Sequence, residues 1–233
     1  MTAQIRVLIV DDDALVRSGL TMMLSGAPQI QVVGEASDGR GVLPAIDLHH
    51  PDVVLMDIRM PRLDGVAATR LLSTQPHPPA VIVLTTFDAD ELVLRALQAG
   101  AAGFLLKDSP PADIVRAIQA VHAGDGTLSP RIARRLITLL AGDPGTADRQ
   151  EQARQRLATL TARERQVASA VAEGRSNAEI AARLHISLAT VKAHVSRLLV
   201  KLDADNRVQI ALLMQDAATA GQPRQTNRDV SWP

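Results

Sequence analysis

The chain has 233 residues, 46% of them hydrophobic, with 25 basic and 25 acidic side chains and no formal net charge; that is long enough for two ordinary domains and too apolar for a disordered chain. The absence of cysteine excludes disulfides, cysteine-ligated zinc and thiol catalysis. Two phenylalanines, one tryptophan and no tyrosine are too few stacking platforms for a single-stranded nucleic-acid reader.

The first half alternates short apolar runs with amphipathic segments. Runs at 7–10, 32–35, 53–56, 81–84 and 103–106 are rich in Val, Ile and Leu and too short for helices. They read as strands buried on both faces of a parallel sheet. Helices are expected near 14–25, 40–49, 64–73, 90–99 and 110–122, with Pro44 shortening or kinking the second. Ser109 is expected to cap the last, with Pro110 at its first position. Five strands alternating with five helices predict a doubly wound α/β domain over 1–123.

A linker over 124–156 follows, with a helix near 130–140 and a Gly142-Asp143-Pro144-Gly145 stretch running into polar sequence up to Gln155. From Leu160 the pattern is helical only, with helices expected near 162–173, 177–184, 188–202 and 207–216. Thr161 with Glu164, and Ser176 with Glu179, each have capping-box spacing. A second, all-α domain is thus expected over 157–216, and a polar, disordered tail over 217–233. Charge divides the same way. Residues 1–123 carry 9 basic and 14 acidic side chains, whereas 157–215 carry 8 and 5, which suggests different partners. No apolar run approaches the ~18 residues of a membrane span, and no leader pattern opens the chain; a soluble, cytoplasmic protein is expected.

Polar residues stand at four strand ends: Asp11 and Asp12 after the first strand, Asp57 after the third, Thr85 after the fourth and Lys107 after the fifth. Open α/β sheets bind ligands outside the carboxyl ends of their strands, so these five side chains converge on one cleft. Clustered carboxylates repel each other unless a cation joins them, and an oxygen-only donor set selects a hard ion such as Mg2+. A carboxylate beside that ion, with a lysine and a hydroxyl at hand, suits nucleophilic capture of a phosphoryl group. Asp13, the third acid in the run, is expected to cap the following helix.

Ile9-Val10-Asp11-Asp12, Met56-Asp57-Ile58-Arg59-Met60-Pro61, Leu84-Thr85-Thr86 and Phe104-Leu105-Leu106-Lys107 resemble the receiver domain of two-component response regulators. The resemblance implies a flavodoxin-like fold in which Asp11, Asp12, Asp57 and the backbone carbonyl of Arg59 hold Mg2+. Asp57 would accept the phosphoryl group from a sensor histidine kinase, Thr85 would move toward it, and Phe104 would be the aromatic switch. Phe104 replaces the commoner tyrosine, so it lacks a hydroxyl to report its rotamer. Asp108 follows Lys107 where many receivers carry proline.

On the predicted helix 188–202, Val191, Val195, Leu198 and Leu202 form one apolar stripe. The opposite face carries Ala189, Ala193, Ser196 and Val200, flanked by Lys192 and Arg197, with Lys201 further round. Small side chains fringed by cations suit entry into a major groove. The run from Leu160-Thr161-Ala162-Arg163-Glu164-Arg165 through Thr190-Val191-Lys192-Ala193-His194-Val195 resembles the LuxR-type helix-turn-helix. With the receiver, the chain is similar to NarL/FixJ-type regulators over nearly its whole length. That resemblance puts Lys192, Ala193 and Ser196 toward the groove, and Thr190, His194 and Arg197 nearer the backbone of double-stranded DNA. It implies a homodimer paired through the last helix, with Val208, Ala211, Leu212 and Gln215.

The expected function is a DNA-binding transcriptional regulator switched by phosphorylation of Asp57, with slow autodephosphorylation at most and no turnover chemistry. An aspartyl-phosphate phosphatase would need an acid/base carboxylate two residues after the nucleophile, where Arg59 stands. The other alternative is a phosphorylation-independent regulator that binds a partner protein through its receiver, against which the complete acidic set argues.

Overall fold

The computed structural model describes residues 4–85, 90–125, 127–128 and 146–219. Six parallel strands, β1 (Ile5–Val10), β2 (Ile30–Ala36), β3 (Val53–Asp57), β4 (Ala80–Thr85), β5 (Gly103–Leu106) and β6 (Thr127–Leu128), lie in the order β2-β1-β3-β4-β5-β6. Helices α1 (Ala14–Ser25) and α5 (Pro111–His122) cover one face, and α2 (Val42–His49), α3 (Gly65–Ser73) and α4 (Asp90–Gln98) the other. Alternation along the strands sorts the side chains. Ile5, Val7, Ile9, Val53, Leu55, Ile82 and Leu84 pack under α1 and α5, whereas Leu8, Val10, Val54, Met56, Val81 and Val83 pack under α2, α3 and α4. Burial on both faces is why these runs carry no polar period.

Five local expectations are revised. The five-stranded sheet gains β6, with Gly103 opposite Thr127 and Phe104 opposite Leu128; a two-residue strand is too short to show a period. Pro44 is the third residue of α2, in the first turn, where a missing N–H costs nothing. A 3-10 turn at Gly39–Gly41 takes the place of the earlier helical start. The cap of α5 is Pro110 rather than Ser109, because Pro111 at the first helical position forces the residue before it into extended geometry. The stretch up to Gln155 is helical, within α6 (Thr146–Ala158), because Ala153 and Leu157, four apart, are buried.

The second half consists of α6, α7 (Ala162–Ala172), α8 (Asn177–Leu184), α9 (Leu188–Lys201) and α10 (Arg207–Thr219). Both predicted capping boxes form, at Thr161 with Glu164 and at Ser176 with Glu179. His185, at φ 51°, ends α8 in left-handed conformation and turns the chain into α9, which Ser187 caps. The stripe of Val191, Val195, Leu198 and Leu202 is buried as expected. Helix α10 continues to Thr219, past the expected start of the tail. The predicted helix near 130–140, the Gly142–Gly145 linker and the tail beyond 219 lie outside the described residues.

Candidate phosphoacceptor site and nucleic-acid interface

The strand order reverses beside β1, and β1, β3, β4 and β5 end at the same edge of the sheet, so their last residues surround one cleft. One carboxylate oxygen each from Asp11, Asp12 and Asp57 lies within 4.8 Å of the others. Asp11 and Asp57 are buried and Asp12 is exposed. Lys107 Nζ reaches Asp11 Oδ2 at 2.6 Å and Asp57 Oδ1 at 3.0 Å. Its backbone N–H donates to the carbonyl of Thr85 at 2.7 Å, which ties the ends of β4 and β5 together. Thr85 is buried at its strand end. Asp13 caps α1 by accepting from Leu15 N at 2.8 Å, as expected. Arg59 is exposed, two residues beyond Asp57. Phe104 is fully buried among Val83, Val93 and Leu97.

Burial pushes the Asp57 carboxyl above its ordinary value; Lys107 opposes this and the charge of Asp11 adds to it. Burial also works against the charge on Lys107, but hydrogen bonds to Asp11 and Asp57 outweigh it and hold the ammonium above its ordinary value. One lysine thus serves two of the three carboxylates. The residues fit a hard divalent ion, because oxygen donors of three acids converge at a spacing that one ion can span and, among the described residues, no nitrogen or sulfur ligand joins them.

Two features of this site escaped sequence reading. Arg62, in the loop after Asp57 at φ 66°, pairs with Asp38, whose carboxylate also accepts from the amides of Arg40 and Gly41. The hydrogen bond from Arg62 is the main reason the Asp38 carboxyl lies below its ordinary value. Asp38 had a turn signature in Asp38-Gly39, but nothing local marked Arg62 as its partner. The second is Gly65, which opens α3 against the backbone of Asp57: a Cβ there would stand 1.9 Å from the Asp57 carbonyl oxygen.

On α9, Lys192, Ala193, Ser196, Arg197 and Val200 are exposed, while Thr190 and His194 are half-buried. Arg197 Nε donates to the carbonyl of Ala193 at 3.2 Å. Lys201 is otherwise engaged than expected: its Nζ bonds Glu164 Oε2 at 2.9 Å, across to the N-terminus of α7. In the free protein Lys201 is thus ion-paired within its own domain rather than a free cation. Lys201, then the backbone and hydroxyl of Thr161, hold the Glu164 carboxyl down at about 2, against an ordinary 4.5. A lowered folded value means that the ionised acid favours the fold above the ordinary value. That contribution is lost as pH falls from 4.5 toward 2. The denaturation midpoint of the native chain is therefore expected to fall more steeply over this window than that of Glu164→Gln. Parallel curves would show that the pair adds nothing.

The two halves touch. Asn206 Nδ2 and Gln209 Nε2 both donate to the carbonyl of Leu97, near the end of α4, at 3.1 and 2.9 Å. Val208 is buried in the same apolar cluster as Val93, Leu97 and Phe104, with Leu212 packed against it. Ile210, Leu213 and Met214 face the helical core instead. Helix α10 is therefore apolar on two sides, one for each half. Lys192, Ser196 and Val200 line a cleft of about 750 Å3 whose other wall includes Thr69, Ser73 and Pro78 of the first half.

Comparison with known proteins agrees with this geometry. Residues 7–119 match the family described as response regulator receiver domain, and residues 158–214 match bacterial regulatory proteins of the luxR family. The transcriptional regulatory protein LiaR of Bacillus subtilis is 40% identical over 209 residues, 89% of this chain and 95% of its own. A probable transcriptional regulatory protein, NarL of Mycobacterium tuberculosis, is 39% identical over 208 residues, 88% of this chain and 90% of its own. The crystal structure of the response regulator ChrA, of a heme-sensing two-component system, covers 93% of this chain and 98% of its own at TM-score 0.52 and 36% identity.

A parallel sheet with an acidic cleft at its strand ends, joined to a helix-turn-helix, defines a transcriptional response regulator. This chain belongs to the response regulators that carry a receiver domain and a LuxR-type DNA-binding domain.

Proposed function

We propose that this regulator is switched by phosphorylation of Asp57 from a sensor histidine kinase, and that it binds duplex DNA as a homodimer once switched. The carrying observation is the convergence of Asp11, Asp12 and Asp57 within 4.8 Å, with Lys107 bonded to two of them. In this reading an Asp57 oxygen attacks phosphorus as the bond to the donor nitrogen breaks. Lys107 and Thr85 then meet the phosphoryl oxygens, and Lys107 gives up its contact to Asp57 to do so. Asp11, Asp12, Asp57 and the carbonyl of Arg59 would hold Mg2+, which supplies charge neutralisation at the transferring group when bound. Arg59 stands where a phosphatase of aspartyl-phosphate type would carry its acid/base carboxylate, so turnover is not expected. Residence in the cytoplasm fits this role, and no helix among the described residues is long and apolar enough to cross a membrane.

The contact between the halves supports a closed resting state. A cleft of about 750 Å3 is the size of a small-molecule site. Thr69, Ser73 and Pro78 of the receiver stand across it from the recognition helix, where a duplex would have to lie. Val208 and Leu212, expected at the dimer face, are covered by the receiver. Opening therefore frees the recognition helix and the pairing helix together. Phe104 and Val208 share one apolar cluster, so a rearrangement near Thr85 and Phe104 acts directly on the α10 contact.

The test is oligomeric state and duplex binding with and without beryllofluoride, a phosphate mimic. Dimerisation and tighter binding with the mimic are expected, and indifference to it would favour a phosphorylation-independent regulator. In the mimic-bound state, Lys192→Ala should weaken binding and lower the log–log salt slope by about one. An unchanged slope would remove Lys192 from the contact.

A further inference from the structure

Arg207, the first residue of α10, is a buried cation whose side chain is 9% exposed. Among the described residues its one carboxylate partner, Asp125, comes from the other half of the molecule, just after α5. Its remaining acceptors are neutral: the carbonyls of Gly124 and Arg175 and, at 3.4 Å, Asn177 Oδ1. The same Asp125 oxygen accepts from the backbone N–H of Asn177, at the start of α8, at 2.9 Å. Asn177 Nδ2 donates in turn to the carbonyl of Ala123 at 3.2 Å. Gly124, at φ 86°, makes the left-handed turn that brings Asp125 onto this spot.

Separation of the halves leaves Arg207 without its counter-charge. Burial already pulls its guanidinium below its ordinary value, and Asp125 is what opposes that pull. A buried cation stripped of its partner is costly, so the open form needs another anion or full hydration there. Asn177, Asp125 and Arg207 line the same cleft as Lys192 and Ser196 of the recognition helix. Asp205, on the same cleft, accepts from Gln209 at 3.3 Å instead. In helix-turn-helix complexes the first helix of the motif crosses the sugar-phosphate backbone while the second enters the groove. The anion available beside Arg207 after opening is therefore a phosphate.

We propose that Arg207 is a shared cation, paired with Asp125 in the closed form and with a backbone phosphate of the bound duplex in the open form. Asp125 then acts as an internal stand-in for that phosphate, so closing and DNA binding compete for one guanidinium. The inference rests on the reading that the helical half binds duplex DNA in the opened molecule.

The full-length chain, without phosphorylation, is titrated with a short duplex of mixed sequence at several salt concentrations. Asp125→Asn should expand the molecule in small-angle scattering and bind about tenfold more tightly than the native chain, because less of it is held closed. Arg207→Gln should expand it equally but bind several-fold more weakly than Asp125→Asn, with a log–log salt slope lower by about one. Equal affinity and slope for the two variants would overturn the proposal and leave Arg207 a clasp only, as would native affinity for Asp125→Asn. If Arg207→Gln does not fold, the response of the Arg207 Nε resonance to duplex in Asp125→Asn decides in its place. Duplex should shift the Asn177 amide and Arg207 Nε resonances, and resonances that stay put would overturn the proposal. Both variants keep Asp12, Asp57 and Lys107, so their response to beryllofluoride reports separately on the phosphorylation reading.

Discussion

Asp57→Asn is expected to abolish Mg2+-dependent labelling by a small phosphodonor and, in the same protein, to raise resistance to denaturation. The first effect follows from chemistry: an amide oxygen is no nucleophile for phosphorus here, and neither Asp11 nor Asp12 stands at the end of β3. The second follows from electrostatics. Asp57 is buried beside Asp11, and one lysine serves both, so burial holds the Asp57 carboxyl above its ordinary value. A raised folded value means that the ionised form opposes folding. That penalty is fully present at neutral pH and disappears as pH falls below the ordinary carboxylate range. Removing this buried charge should raise the midpoint by a few degrees for a chain this long. The gap between variant and native midpoints should therefore narrow on acidification. Residual labelling of the variant would place the acceptor elsewhere, and a lowered midpoint at neutral pH would contradict the account of the acidic cluster.

Gly65→Ala is expected to destabilise the receiver by about 3 kcal/mol or more and to slow phosphoacceptance, because a methyl group has nowhere to go. The added Cβ would lie 1.9 Å from the carbonyl oxygen of Asp57 and 2.9 Å from its carbonyl carbon. Both atoms are backbone, so no rotamer change relieves the overlap. The Gly65 amide also donates to the carbonyl of Ile58 at 2.9 Å, which pins the start of α3 to the residue after the acceptor. The strain thus falls on the strand end that aims the carboxylate. Gly19→Ala is the control. That glycine lies within α1 with nothing within 4 Å of an added Cβ, so the change should stabilise by about 0.5–1 kcal/mol and leave labelling alone. Equal behaviour of the two alanine variants would show that the close approach at Gly65 carries no weight.

The receiver was legible because its elements carry local signals. Strands buried on both faces read as unbroken Val, Ile and Leu runs, and each functional side chain sits at a strand end, where parallel topology alone gathers them. Asp57, Asp12, Thr85 and Lys107 fall in one cleft on the sequence pattern alone. Both capping boxes and the apolar stripe of α9 were legible for the same reason, since each is a pattern within one element. What escaped was set by partners far away in sequence. Lys201 reads as a free cation on a basic helix until Glu164, 37 residues earlier, is found beside it. The polar run up to Gln155 has the composition of a linker, yet two buried residues, Ala153 and Leu157, anchor it as a helix.

The amino-acid order by itself determined the two folds, the acidic cleft and the recognition helix, because hydrophobic period, capping and strand-end chemistry act over a few residues. Only the tertiary structure decided that Val208 and Leu212 face the receiver, that the recognition helix lines an interdomain cleft and that Arg207 answers to Asp125. Those pairings join residues about 80 to more than 110 apart, and a contact between two separately folded halves leaves no period in either. An arginine at a helix start reads alike whether it meets water, a carboxylate or a phosphate, until packing chooses.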